Sequence, residues 1–118
     1  MPHNFGSVIP VLFVSDVAQT IAYYRDILGY DTNQDRDDWG SAQLGNATFF
    51  FRKSEGEIHP VWCFVSVEEV DDLCTELRAK GATILEAPAD QPWGFRQFKL
   101  EDLNGYLLIY FRLSDGIQ

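Results

Sequence analysis

The feature that most constrains this chain is an internal duplication. Gly45-Asn46-Ala47-Thr48-Phe49-Phe50-Phe51-Arg52 lies without a gap over Gly105-Tyr106-Leu107-Leu108-Ile109-Tyr110-Phe111-Arg112. Upstream, superposing Val14 on Val67 puts Val17 on Val70 and brings Gly29 within one position of Gly81. A repeat of this size calls for a pseudo-symmetric architecture in which each half is one supersecondary unit.

Periodicity and turn chemistry fill in each unit. Val8 to Val14 reads as a strand. Pro10 has no amide donor, so this strand is at an edge, bent, or crossing between subunits. Asp16 with Gln19 fits a capping box at a helix start. Val17, Ile21, Tyr24 and Leu28 recur at helical spacing, and Gly29 ends the helix. Tyr30 opens a short strand that runs into a polar loop, Asp31 to Asp38, with Trp39 at its end. Ser41–Leu44 and Ala47–Arg52 are strands joined by the turn Gly45-Asn46. Lys53 to His59 is the expected linker. The order then repeats. Pro60–Val67 is a strand, and Glu68–Lys80 a helix with Val70, Leu73, Cys74 and Leu77 on one face. Gly81 is its cap, Thr83–Glu86 a short strand and Ala87–Gly94 a loop. In the last hairpin Phe98 and Leu100 alternate with Gln97 and Lys99, the period of a half-buried strand. Each half is therefore β-α-β-β-β, with module 1 at about 7–53 and module 2 at about 60–113 of a single domain, 1–118.

Composition excludes several function classes. At 118 residues the chain makes one small domain. Its net charge of −9 argues against nucleic acid, which needs a basic face. No apolar run approaches the ~18 residues of a membrane helix. Met1-Pro2-His3-Asn4 does not read as a signal peptide, so a cytoplasmic protein is expected. Cys63 and Cys74 are too few for a disulfide framework or a four-ligand zinc site.

The duplication and its motifs resemble the vicinal oxygen chelate superfamily: glyoxalase I, extradiol dioxygenases, and fosfomycin- and bleomycin-resistance proteins. Ile9-Pro10-Val11-Leu12, Asp16-Val17-Ala18 and Leu28-Gly29-Tyr30 are similar to the N-terminal signature of the bleomycin-resistance proteins. Gln91-Pro92-Trp93-Gly94 and Asp102 to Gly105 are similar to their C-terminal one. The resemblance implies an α+β fold of two tandem βαβββ modules, with a curved mixed sheet and the helices outside. Enzymes of the superfamily hold a metal on four side chains. The matching positions here are Ile9, Phe49, Trp62 and Ile109, none of which ligates a hard or borderline cation. No metal or other cofactor is expected, and Lewis-acid chemistry is unavailable at such positions.

If position 9 faces a cleft, strand alternation places Val11, Phe13, Trp62, Phe64, Phe49, Phe51, Ile109 and Phe111 there too. Such a face is a small-molecule pocket or a core filled by its own side chains. Three Trp in one small domain favour the pocket. Trp39, Trp62, Phe64 and Trp93 are expected to border one concave surface. Asp37-Asp38 beside Trp39 either suits a flat cation or is a plain acidic turn. Neither His3 nor His59 sits in a nucleophile-type motif.

The expected function is metal-free binding of the bleomycin-resistance type, sequestering a flat hydrophobic ligand such as a glycopeptide antibiotic, cationic if the acidic loop takes part. Phe13, Asp38, Trp39, Phe49, Trp62, Phe64, Trp93 and Ile109 form the expected site. Gln34 stands where that family can place a stacking aromatic, which weakens the match to bleomycin itself. The alternative is a metal-dependent lyase, isomerase or dioxygenase of the same superfamily. The family also implies a homodimer, with Pro10 marking where the N-terminal strand could cross to the partner.

Overall fold

The chain divides into two compact units, Met1–Ile58 and His59–Gln118. The computed structural model describes residues 3–114. The boundary falls inside the polar segment expected as a linker. Each unit is one βαβββ module, and the class is α+β.

The first unit runs β1 (Val11–Val14), α1 (Val17–Asp26), β2 (Asp31–Arg36), β3 (Trp39–Leu44) and β4 (Ala47–Lys53). Its sheet has the order β1-β4-β3-β2, with β1 parallel to β4 and the other pairs antiparallel. The Asp16 carboxylate accepts from the Gln19 amide at 2.9 Å, satisfying one of the donors a helix start leaves open. Gly29, at φ 84°, ends the turn after α1 in a conformation that favours glycine. Val17, Ile21, Tyr24 and Leu28 are all buried against the sheet. Gly40 lets α1 approach: a Cβ there would stand 2.5 Å from Ile21 Cδ1 and 3.1 Å from the Asn33 carbonyl oxygen.

The second unit runs β5 (Trp62–Ser66), α2 (Val70–Ala79), β6 (Thr83–Asp90), β7 (Phe95–Glu101) and β8 (Leu107–Leu113). The sheet order β5-β8-β7-β6 repeats that of the first unit, again with the first and last strands parallel. Phe98, Leu100, Leu108 and Tyr110 are buried, and the Phe98 and Tyr110 rings stack at 5.2 Å. Arg96 fixes the helix to the sheet. It donates to Asp71 on α2 at 2.9 and 3.1 Å and to Asp90 on β6 at 3.2 Å. The hairpin into β8 is built on Asp102, whose Oδ1 accepts from the Asn104 and Tyr106 amides at 2.8 and 2.9 Å.

The structure corrects the sequence reading at the edges. The first strand begins at Val11, not Val8. The expected loop over 31–38 is strand β2 followed by a two-residue turn, Asp37-Asp38. The loop from Ala87 shortens to Gln91–Gly94, because β6 continues to Asp90 across two register shifts. Both β2 and β6 are edge strands. An edge strand is specified by backbone pairing on one side and needs no apolar alternation, and its polar residues protect it from further pairing.

A larger correction concerns β4. Phe49 and Phe51 do not share a face with Val11 and Phe13. They lie under α1, with ring centroids 5.8 and 4.8 Å from that of Tyr24. Phe49 is 3% exposed and belongs to the core. The register explains this. Val11 pairs with Phe50 across β1 and β4, whereas Phe64 pairs with Ile109 across β5 and β8. With Val14 matched to Val67, Phe50 corresponds to Ile109. The gapless repeat slips by one because the hairpins differ. Leu44 pairs with Ala47 across two residues, whereas Glu101 pairs with Leu107 across five.

Candidate functional site: the open sheet faces

Each sheet is covered by its helix on one face. The opposite, open face is where apolar side chains stand exposed.

On the module 2 open face, β5 contributes Trp62 and Phe64, β7 contributes Phe95, Gln97 and Lys99, and β8 contributes Ile109 and Phe111. Phe95 and Phe111 stack at 4.5 Å with 28° between their planes. The Phe64 ring meets both edge-on, at 6.2 and 5.7 Å. Trp62 is 61% exposed and Phe64 47%. Lys99 Nζ stands 4.6 Å from the centre of the Trp62 ring and 3.1 Å from Glu86 Oε2, so its charge is balanced from two sides. Trp93 precedes β7 in the short loop and is 60% exposed. Its Nε1 donates to Gln97 Oε1 at 3.3 Å, which holds the indole by its polar edge and leaves its faces bare. Ile109, paired with Phe64 and Lys99 across its neighbouring strands, is fully buried. At the end of β5 and β8 an open depression of about 500 Å³ is lined by Ser66, Glu68, Phe111, Arg112 and Leu113.

On the module 1 open face, Val11 and Phe13 of β1 are 40 and 46% exposed. Phe50 follows on β4, and its ring meets Trp39 of β3 at 5.5 Å. Asp38 sits in the β2–β3 turn, with Oδ1 3.3 Å from Arg36 Nε. The acidic pair is thus a hairpin turn with a local cation.

Among the expected site residues, Trp62, Phe64 and Ile109 share one open face and Trp93 flanks it. Phe13 and Trp39 share the other. Phe49 does not belong. Sequence reasoning missed Phe95, Lys99, Phe50 and Arg52. The alternation along β7 already separated Gln97 and Lys99 from Phe98, and read with the right face it would have found Lys99.

The four family ligand positions do not suit a metal. With the register corrected they are Ile9, Phe50, Trp62 and Ile109, which offer hydrocarbon and indole surface. Among the described residues no three His, Cys, Asp or Glu side chains come together. The two thiols are free. Burial, with Asp102 second, pushes the Cys63 thiol up, and burial does the same for Cys74. Both therefore stay protonated near neutrality and make poor nucleophiles.

The family model for the glyoxalase/bleomycin resistance protein/dioxygenase superfamily matches residues 6–110. The chain belongs to this superfamily. It is 24% identical over 116 residues to virulence protein STM3117 of Salmonella typhimurium strain LT2, covering 90% of this chain and 75% of that protein. Among solved structures it is similar to TioX from Micromonospora sp. ML1, with a TM-score of 0.80 at 22% identity, covering 92% of this chain and 100% of that one. The bleomycin-binding protein of Streptomyces verticillus, solved with copper(II)-bleomycin, gives a TM-score of 0.75 at 20% identity and covers 93% and 97% of the two chains. At these identities the structural likenesses speak for the fold. No helix among the described residues is long and apolar enough to cross a membrane.

Proposed function

We propose that this superfamily member binds a flat, hydrophobic small molecule and leaves it chemically unchanged. The observation that carries this reading is the module 2 open face, where Trp62, Phe64 and Trp93 keep 61, 47 and 60% of their surface exposed. Rigid aromatic faces with a few polar handles are what a flat ligand needs. On the module 2 face the proposed binding residues are Trp62, Phe64 and Trp93, backed by Ile109; on the module 1 face, taken by itself, they are Phe13 and Trp39, with Asp38 at its turn. Sequestration rather than reaction follows from hydrocarbon at the metal positions and from protonated thiols.

The copper(II)-bleomycin complex of the Streptomyces verticillus protein makes a glycopeptide antibiotic the first probe, and antibiotic resistance by sequestration the role. Bleomycin and a set of planar aromatic dyes should quench tryptophan fluorescence saturably. Trp93→Ala should weaken a bound probe by roughly 1–3 kcal/mol, the range of an aromatic hot spot. Unquenched fluorescence across the whole set sinks the reading. Elemental analysis after dialysis should find no stoichiometric Zn, Ni, Mn or Fe.

We also propose a homodimer, formed in a reducing cytoplasm that suits the two free thiols. Phe5 and Val8 are each 94% exposed in the strand-free residues 3–10, an arm that an exchange between subunits would cover. β1 itself pairs with β4 of its own chain, so the arm before it is the part left to exchange. Light scattering at micromolar concentration should give twice the chain mass; a monomer mass rejects the dimer.

A further inference from the structure

One row of side chains crosses the module 1 open face from strand to strand. Phe13 of β1 pairs with Arg52 of β4, Arg52 with Trp39 of β3, and Trp39 with Arg36 of β2. Directly opposite residues on neighbouring strands point to the same face. Phe50, two residues before Arg52, adds its ring against Trp39 at 5.5 Å. The row therefore alternates aromatic and cationic groups: Phe13, Arg52, Trp39, Arg36.

Its charge is unexpected in this chain. Asp and Glu number 18 against 9 Lys and Arg. Arg25, Arg36, Arg96 and Lys99 each have a carboxylate within 3.3 Å. Arg52, like Lys53, Arg78 and Lys80, has none: among the described residues its side chain takes no ion-pair or hydrogen-bond partner, and it is exposed; unlike those three it stands opposite two aromatic residues, Phe13 and Trp39. Arg36 is balanced by Asp38 at 3.3 Å. The register also puts Asp31 on this face, at the far end of β2 opposite Gln43, and Asp35 stands at the bulge beside Arg36. A guanidinium whose cross-strand neighbours are aromatic, with its fork of donors unused, is suited to a planar anion that stacks on those rings.

We propose that Arg52, flanked by Phe13, Trp39 and Phe50, is an anion subsite, and that the ligand is a planar aromatic carboxylate rather than a cation. The carboxylate takes the Arg52 fork and the ring lies along the neighbouring aromatics. This rests on the binding reading above for Phe13 and Trp39 of the module 1 face and specifies the ligand class there. Of the two readings of Asp37-Asp38 it sets aside the flat-cation one, because Asp38 is paired with Arg36.

The test uses a matched pair of probes, naphthalene-2-carboxylate and naphthalene-2-carboxamide, which share a ring and differ by one charge. Affinities are measured by calorimetry on the full chain. Wild type should bind the carboxylate about five- to tenfold more tightly than the amide, the size of one charge-assisted hydrogen-bonding contact near a surface. Arg52→Gln should abolish that preference, bringing carboxylate affinity down to that of the amide in the same variant. Arg52→Lys should keep part of it, since an ammonium supplies charge without the fork. Added salt should narrow the gap. Circular dichroism confirms that each variant is folded. If both probes bind wild type equally, the anion subsite is wrong while the aromatic pocket stands. A preference that persists in Arg52→Gln puts the charge reader elsewhere and overturns the assignment. If neither probe binds, the anion subsite falls, and the binding reading stands or falls with the bleomycin and dye set above.

Discussion

Adjacent phenylalanines on β4 provide a direct test of the faces. Phe49 and Phe50 have the same side chain and neighbouring positions, and the register sends them to opposite sides of the sheet. Phe49 is 3% exposed and packs against Tyr24 and Tyr30 at 5.8 and 5.9 Å. Phe49→Ala removes a ring from a closed aromatic cluster, so it loses transfer energy and leaves a cavity, together about 3–5 kcal/mol. Phe50 is half-buried on the open face, where Trp39 is its ring neighbour. Truncating it removes roughly half as much area from shelter and opens no enclosed cavity, which comes to about 1–2 kcal/mol. Urea unfolding followed by far-ultraviolet circular dichroism measures both, with an unchanged slope showing that the same surface unfolds. Probe binding should respond the other way: Phe50→Ala weakens it and Phe49→Ala leaves it intact while the protein stays folded. If Phe50→Ala costs more stability than Phe49→Ala, the face assignment is inverted, and the Phe13–Arg52–Trp39 row with it.

Three further outcomes are expected. Asp16→Ala should cost about 1 kcal/mol in the same unfolding assay by leaving the Gln19 amide without its cap, and Asp16→Asn should restore most of it. Gly40→Ala should cost about 1–3 kcal/mol, because the added methyl meets Ile21 and the Asn33 carbonyl; an unchanged midpoint would show that α1 can move away without penalty. Cys63, its thiol pushed up by burial and then by Asp102, should be labelled by a thiol reagent more slowly in the folded than in the urea-unfolded chain at pH 8, with the gap closing as pH rises. The sign follows from the raised value. The neutral thiol's contribution to stability is complete below the unfolded pKa and is lost as pH climbs through the folded one.

The parts of the fold that were legible in the sequence are those written in periodicity and caps. The face of Val17, Ile21, Tyr24 and Leu28 and the Asp16 cap survive as read; Phe98 and Leu100 are buried as expected, but Gln97 of the polar phase is buried too. What was not legible lay where backbone pairing decides. β2 is a run of polar residues that becomes a strand because β3 offers it an edge. The facing of β4 could not be read from Phe49-Phe50-Phe51, because three identical side chains carry no alternation. Only the partner register resolves which of them points where. The expected site inherited that ambiguity: Trp62, Phe64 and Ile109 lie on one face of the β5–β8 pair, whereas a one-residue slip turns Phe49 to the helix side.

That slip has a consequence for how the duplicated modules divide their work. The row on the module 2 face that corresponds to Phe13–Arg52–Trp39 starts at Ser66, which pairs with Phe111 and then with Gln97 and Ala89. It contains no charge. Its ring, Phe111, is stacked on Phe95, and its amide, Gln97, holds the Trp93 indole. The cation of this face, Lys99, lies one row away and is already bound to Glu86 and to the Trp62 ring. A gapless repeat would have equated Arg52 with Arg112 and concealed the difference. With the register corrected, Arg52 stands where module 2 has Phe111. The two halves share a frame, and substitution at this one equivalent position gives one open face a free guanidinium and the other a closed aromatic stack. Introducing the aromatic into module 1, Arg52→Phe, should therefore preserve binding of the uncharged amide probe while removing the preference for the carboxylate. A variant that instead lost both would show that Arg52 holds the face together rather than reading the ligand's charge.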